Sequence, residues 1–148
     1  MKKQNTSLLN NIRRFTVCNE AMRIATLKSE RDFLREAGNI STAQLHIILS
    51  ISKKGTLMMS ELADILHFTR ANVTQLVDKL VDKKYLKRIR NDEDRRVISV
   101  DLLAKAKKVA TLYQEHVERT AHDWLSHMSE EEQEGMLSTW EKYLSNKR

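Results

Sequence analysis

The chain has 148 residues, of which 41% are hydrophobic and 31% are charged, and its formal net charge is +6. This length suits one domain with a real core and leaves little room for a second. A single cysteine excludes an intrachain disulfide and a multi-cysteine zinc site. We find no apolar run long enough to span a bilayer and no signal peptide in residues 1–25, so a soluble cytoplasmic protein is expected.

The positive charge is concentrated in the middle of the chain. Residues 53–108 carry fourteen Lys and Arg against eight Asp and Glu, a balance of +6, whereas residues 109–148 carry four against eight, a balance of −4. A basic region attracts polyanions with an affinity that depends on salt. Charge alone leaves DNA, RNA and a membrane surface open as partners.

The first two predicted helices follow from breakers and caps. Residues 5–36 contain no helix breaker and predict one long helix that ends before Gly38. Ser41 and Gln44 have the spacing of a capping box, which predicts the start of a second helix. Gly55 follows two lysines and is expected to close this helix.

The next segment predicts a short helix, a polar turn and a second amphipathic helix. Ser60 is expected to cap a helix over residues 61–66, and Thr69 to cap one that runs to about Lys83. Apolar side chains recur in the second of these helices at the i, i+3, i+4 and i+7 positions that define one buried face. They are Val73, Leu76, Val77 and Leu80.

The pattern then changes from helical to alternating. Residues 85–90 and 97–102 alternate as strands do, and the polar loop 91–96 between them predicts a β-hairpin. Residues 104–127 return to a helical pattern. Ser129, followed by three glutamates, has the form of a capping box for a last helix.

The exposed face of the second amphipathic helix has side chains that can read DNA. A helix fits the major groove, where Arg reads guanine and Asn and Gln read adenine, while Thr hydroxyls and the helix amino terminus can bind phosphate. Asp78 and Asp82 would repel phosphate, so contacts should concentrate on the first two turns. The candidate contact residues on this helix are Arg70, Ala71, Asn72, Thr74, Gln75 and Lys79.

The hairpin adds a second set of candidate DNA contacts. Arginines at a protruding tip suit insertion into a narrow minor groove, and a neighbouring carboxylate can hold an arginine by a charge-assisted hydrogen bond. The candidates are Arg88, Arg90, Asp94, Arg95 and Arg96. An exposed polar face on a helix is common in any helical protein; it is the combination with this basic hairpin that favours DNA binding.

These residues resemble the MarR family of winged helix-turn-helix regulators. The resemblance rests on Ser60–Leu66, on the segment from Thr69 to Leu80, and on Asp94-Arg95-Arg96 with the strand that follows. It implies a mainly α fold with a small β-hairpin wing, in one domain over residues 1–148. The winged helix-turn-helix lobe would span about 40–103, and dimerisation helices would span about 5–36 and 104–146.

The sequence departs from the family pattern at the junctions between elements. Lys84 stands where a Gly is common after the recognition helix, so it must either adopt a positive φ or end the helix differently. Residues 102–106 lack the usual Leu-Thr-x-x-Gly, and the Pro common near Ala43 is missing. These departures bear on local geometry rather than on the resemblance as a whole.

An effector site is expected between the dimer helices and the DNA-binding lobe, as the resemblance implies. Its candidate residues are Cys18, Met22, His46 and Tyr113. Cys18 is either a redox sensor or a packing residue, and His46 either a metal ligand or a partly buried histidine. An apolar pocket around Met22, Ile48 and Tyr113 would suit an apolar or aromatic acid, although core packing explains the same residues.

The predicted function is that of a ligand-responsive repressor that binds a pseudo-palindromic operator in double-stranded DNA as a homodimer. No catalytic motif, metal-ligand spacing or cofactor-binding motif is found, so we expect neither an enzyme nor a cofactor. The effector is an unidentified small molecule, and no membrane partner is expected. The alternative function is that of a protein-interaction winged-helix adaptor with non-specific affinity for DNA.

Overall fold

The computed structural model describes residues 2–90 and 98–147. Within them no helix is long and apolar enough to cross a membrane. In chain order the elements are α1 (Lys2–Glu36), α2 (Thr42–Lys54), β1 (Leu57–Met58), α3 (Met59–Leu66), α4 (Arg70–Asp82), β2 (Leu86–Arg90), β3 (Ile98–Leu102), α5 (Ala104–Leu125) and α6 (Glu130–Ser145). We call α2 through β3 the winged lobe and α1, α5 and α6 the scaffold helices. The predicted mainly α fold with a winged helix-turn-helix is confirmed.

The predicted caps at Ser41, Gly55 and Ser129 are present, because each depends on residues close together in the chain. The Ser41 hydroxyl accepts from the Gln44 amide at 3.2 Å, and the Gln44 side chain accepts from the Ser41 amide. Gly55 ends α2 with φ 83°. Ser129 and Glu132 form the same reciprocal pair at the start of α6. These bonds satisfy amide donors that the first helical turn leaves unpaired.

The predicted cap at Ser60 is wrong. Helix α3 begins at Met59, one residue before Ser60, and the Glu61 carboxylate accepts from the Met58 amide at 2.7 Å. The reason is tertiary: residues Leu57 and Met58 form strand β1, which the sequence pattern did not predict and which pairs with β3. The end of that strand fixes where the helix starts.

The sheet has the order β1-β3-β2, and both pairings are antiparallel. The predicted hairpin is confirmed, with Arg88 opposite Val100 and Arg90 opposite Ile98. On the inner side of this sheet Leu57, Leu86, Val100 and Leu102 are buried. Burial of one face explains why the register is fixed, since a shift by one residue would expose these side chains.

Lys84 adopts the left-handed conformation, with φ 59°. Its amide bonds to the Val81 carbonyl at 2.9 Å, and the Tyr85 amide bonds to the Leu80 carbonyl at 2.8 Å. These are the two bonds of a Schellman motif, which usually places Gly where Lys84 stands. The buried contact that accompanies the motif is strong here because both Leu80 and Tyr85 have no exposed surface.

Tyr85 also fixes the joint between the scaffold and the winged lobe. Its hydroxyl donates to the Ala37 carbonyl at 3.1 Å. A Cβ atom added at Gly38, where φ is 102°, would collide with that hydroxyl. Gly38 is therefore required both for its backbone angle and for the close approach of the tyrosine.

The scaffold helices expose much of their apolar surface. Helix α6 has no buried residue, and α5 buries Ala106, Val109 and Ala110, all in its first two turns. Helix α5 ends at Leu125 rather than at the predicted 127. On α1 the exposed apolar side chains include Phe15 at 69% and Val17 at 71%.

Candidate nucleic-acid interface

Helix α4 is anchored by one face and presents the other to solvent. Val73, Val77 and Leu80 have no exposed surface, and Leu76 is partly buried. The Thr69 hydroxyl accepts from the Asn72 amide at 3.3 Å, so the predicted cap is present. The side chains predicted to contact DNA on this helix are all exposed. They are Arg70, Ala71, Asn72, Thr74, Gln75 and Lys79.

The turn before α4 is set by a residue in an unusual conformation. His67 ends α3 with φ 53° and ψ 39°, which is the left-handed region that non-glycine residues seldom adopt. The Phe68 amide then bonds to the Ala63 carbonyl at 3.0 Å. This tight turn joins α3 directly to the capped start of α4.

Arg88 and Asp78 form an ion pair between the wing and the recognition helix. The Arg88 Nη2 atom donates to Asp78 Oδ1 at 2.5 Å, and the two side chains are 37% and 46% exposed. No sequence pattern predicted this contact, because the two residues are ten positions apart on different elements. From its position on α4, Asp78 was expected to present a free negative charge that repels phosphate. In the structure Arg88 offsets that charge.

A notch lies between the start of α3, the exposed face of α4 and the sheet. Its volume is about 550 Å³, and its lining includes Ser60, Arg70, Thr74, Asp78 and Arg88. The Thr74 hydroxyl donates to the Arg70 carbonyl at 2.9 Å and keeps its acceptor capacity. The guanidinium group of Arg70 at its wall suits a phosphate oxygen, whereas that of Arg88 is already paired with Asp78.

The two faces of strand β2 give its basic residues different surroundings. Lys87 pairs with Asp101 at 3.3 Å, while Arg90 is exposed. Because side chains alternate along a strand, Arg90 lies on the same face as Arg88, the face that meets α4. The predicted tip residues Asp94, Arg95 and Arg96 lie outside the described residues.

The four candidate effector residues are not brought together. Met22 and Tyr113 line one groove between α1, α5 and α6, whereas Cys18 and His46 are exposed and outside its lining. Ile48 has no exposed surface and belongs to the core of the winged lobe. His46 is thus not the partly buried residue that one interpretation required. Within residues 2–90 and 98–147, no cluster of three or more His, Cys, Asp or Glu could hold a metal ion.

Tyr113 of α5 packs against the end of α1 and against the buried core. Its ring packs edge-on against Phe33, with the centroids 5.3 Å apart, and Phe33 in turn lies 5.2 Å from the His116 ring. Burial raises the pKa of the Tyr113 hydroxyl, and the nearby charge of Glu30 raises it further. Tyr113 therefore stays neutral at physiological pH and can donate a hydrogen bond.

The comparisons with known proteins agree with this geometry. The MarR family profile matches residues 40–98. The chain is 36% identical over 67 residues to the HTH-type transcriptional repressor MdtR of Bacillus subtilis (strain 168), which covers 45% of this chain and 43% of that protein. The chain spans about half the length of the curated relatives it matches.

Two solved structures show the same fold over most of the chain. The YusO protein of Bacillus subtilis has a TM-score of 0.74 and 23% identity, covering 88% of this chain and 94% of its own. Streptococcus pneumoniae FabT in complex with DNA has a TM-score of 0.70 and 24% identity, covering 89% of this chain and 97% of its own.

Proposed function

The chain belongs to the MarR family through its residues 40–98, and from this premise we propose that it is a DNA-binding repressor that acts as a homodimer and responds to a small molecule. It would bind a pseudo-palindromic operator in double-stranded DNA and act in the cytoplasm. It is not an enzyme. The observation that carries this proposal is the anchored helix α4, whose exposed polar face adjoins the basic strand β2.

We assign the DNA contacts by position on the two elements. Arg70, Asn72 and Gln75 face base edges in the major groove, while Thr74 and Lys79 bind phosphate and Ala71 allows close approach. Arg90, Arg95 and Arg96 bind in or beside the minor groove, with Asp94 holding an arginine. Arg88 acts through its pair with Asp78, which ties the wing to α4.

The exposed apolar side chains of the scaffold support a homodimer. Those at the amino-terminal half of α1 and the end of α6 are between 50% and 71% exposed, which is unusual for so many large apolar groups on one protein. They are Leu8, Leu9, Ile12, Phe15, Val17, Trp140, Tyr143 and Leu144. Burying them against a second copy at about 25 cal/mol per Å² would stabilise both chains.

Selection from a pool of random-sequence duplexes tests the function without knowledge of the operator. We expect enriched duplexes with two related half-sites about one helical turn apart, bound by two protomers in sedimentation. Binding should weaken steeply with salt on any duplex, and the enriched duplex should be preferred over a scrambled one. No enrichment, with weak and unselective binding, would favour the adaptor function instead.

A further inference from the structure

A groove lies between helix α4 and the start of helix α2, and we call it the α2–α4 groove. Its volume is about 350 Å³. Its lining includes Ser41 and Gln44 at the start of α2, and Lys79 and Lys83 in the second half and at the end of α4. None of its lining residues that the structure describes is acidic, so this groove has a positive charge.

The helical period places this groove and the notch on opposite flanks of α4. Lys79 follows Thr74 by five positions, and Lys83 follows Asp78 by five. Since successive residues of an α-helix are about 100° apart, each lysine lies about 140° around the helix from a residue of the notch. Gln75 lies between the two flanks on the exposed face.

A recognition helix in the major groove has a phosphate backbone on each side. With its side chains an α-helix is about 10–12 Å across, and the major groove is about 12 Å wide. When the exposed face of α4 meets the bases, both of its flanks therefore approach a backbone. The notch lies on one flank, and the α2–α4 groove lies on the other.

The two lysines of this groove are available to an anion. In the part of the chain that the structure describes, neither forms an ion pair, whereas Lys87 of the wing is paired with Asp101. The Lys83 Nζ atom donates to the Asn39 carbonyl at 3.4 Å, which keeps the ammonium group beside the groove. An ammonium group has three donors, so two remain for an anion.

Gln44 adds a neutral donor to the wall of the groove. The residue is only 5% exposed, and its Oε1 atom accepts from the Ser41 amide at 3.0 Å. Its Nε2 atom donates no hydrogen bond to any residue that the structure describes. The two hydrogens of this amide are thus available to an acceptor that enters the groove. The positive end of the α2 dipole lies at the same place.

We propose that the α2–α4 groove binds a phosphate of the DNA backbone, with Lys79 and Lys83 on its oxygens and the Gln44 amide as a further donor. The inference rests on the proposed function, since a backbone reaches this flank only when α4 lies in the major groove. The notch with Arg70 takes a phosphate of the opposite strand. Contacts on both flanks fix the position and rotation of α4, on which its base contacts depend.

Charge-matched variants test the contact through the salt dependence of DNA binding. Lys83→Gln should lower the salt slope by about one unit and weaken binding to any duplex roughly five- to tenfold at about 0.1 M salt. Lys83→Arg keeps the charge and should keep the slope. Lys53→Gln removes one charge at the other end of α2, outside the groove, and should leave the slope unchanged. Circular dichroism checks that each variant is folded.

Neutral methylphosphonate linkages locate the contact on the enriched duplex. Placed one at a time, they should weaken binding of the parent protein at the phosphate that the groove holds. At that phosphate they should have no further effect on Lys83→Gln, because the charge that met it is gone. Gln44→Glu keeps a capping box, which accepts Glu as well as Gln, but places a carboxylate beside the phosphate. It should weaken binding to the unmodified duplex more than to the duplex that is neutral at that position.

Equal salt slopes for Lys83→Gln and Lys53→Gln would overturn the inference, as would a methylphosphonate pattern that Lys83→Gln leaves unchanged. Inorganic phosphate is added as a competitor at constant ionic strength. If it displaces the duplex from the parent protein but not from Lys83→Gln, the groove takes a free anion instead of the backbone. A parent protein with no enriched duplex and no steep salt dependence would contradict the proposed function itself, so the two failures are distinguishable.

Discussion

Leu80 of helix α4 has no exposed surface, whereas Leu144 of helix α6 is 61% exposed. The same contrast holds for the regions around them. The winged lobe closes a core within one chain, and α6 buries none of its residues. An apolar pattern alone therefore does not make a core: the lobe buries its apolar faces with the end of α1 and the start of α5, while α6 and the first half of α1 leave theirs exposed.

The largest effect is expected from truncating a core residue of the lobe. Leu80→Ala should lower the free energy of unfolding by about 2–5 kcal/mol, because it leaves a cavity in a fully buried site. Leu144→Ala removes the same atoms from an exposed site and should change the unfolding of the lobe far less. Urea titrations at several protein concentrations compare the two, and equal losses would remove the contrast between the regions.

A charge placed on the scaffold should act on assembly rather than on folding. Phe15 is 69% exposed, so Phe15→Glu should leave the helical content intact. It should shift the protein toward monomer, because each buried aromatic side chain contributes about 1.5–3 kcal/mol at an interface. Sedimentation against the control Thr16→Glu, one position along the same helix, measures this. An unchanged dimer would place the interface elsewhere.

Within the lobe, substitutions in the wing and in the recognition helix should differ in how strongly their effect on binding depends on the DNA sequence. Arg96→Ala should weaken binding to many duplexes by roughly 1–3 kcal/mol and lower the salt slope by about one unit. Gln75→Ala should cost a similar amount on the enriched duplex and little on a scrambled one. Fluorescence anisotropy at several salt concentrations tests both. If Arg96→Ala binds every duplex like the parent, the wing is not a DNA contact.

Lys84 gives a smaller, stabilising prediction for the lobe. Its φ of 59° costs a residue with a Cβ atom about 1–2 kcal/mol, and glycine avoids this cost. Because glycine loses more conformational entropy on folding, the net gain in stability is only part of that amount. Lys84→Gly should therefore raise the melting temperature, while Lys83→Gly, with φ −79°, should lower it. The opposite order in thermal denaturation would contradict the strain assigned to Lys84.

The smallest effect is expected at the ion pair between the wing and α4. Both side chains are more than a third exposed, so Asp78→Asn should cost at most ~0.2–1 kcal/mol of stability. It also removes an anion beside the DNA path and frees Arg88, so affinity for scrambled duplexes should rise slightly. A double-mutant cycle with Arg88→Ala measures the coupling, and zero coupling on the enriched duplex would show that the pair does not orient the wing.

Much of the fold followed from local signals. The caps at Ser41, Thr69 and Ser129 were predicted because each joins a side chain to an amide within three residues. The buried face of α4 was predicted from its period. Where the start of a helix depended on strand pairing, as at Ser60, the local prediction was wrong.

The candidate DNA contacts on α4 were predicted from the helical period and the residue types alone. The structure places all of them on the exposed face of the helix. Their roles stay predictions. The candidate effector residues depended on which helices meet, and the structure separates them: Met22 and Tyr113 share a groove, and Cys18 and His46 do not. No spacing within one helix could have shown this.

The sequence by itself determined the helices, the hairpin and the anchored recognition face, because each rests on hydrogen bonds or periodicity among residues near in the chain. The tertiary structure alone decided the pairing of Arg88 with Asp78, the strand Leu57–Met58, and the burial of Glu30 Oε1, which has no hydrogen-bond partner among residues 2–90 and 98–147. Each of these depends on where elements distant in the sequence come together, and on what that leaves without a partner.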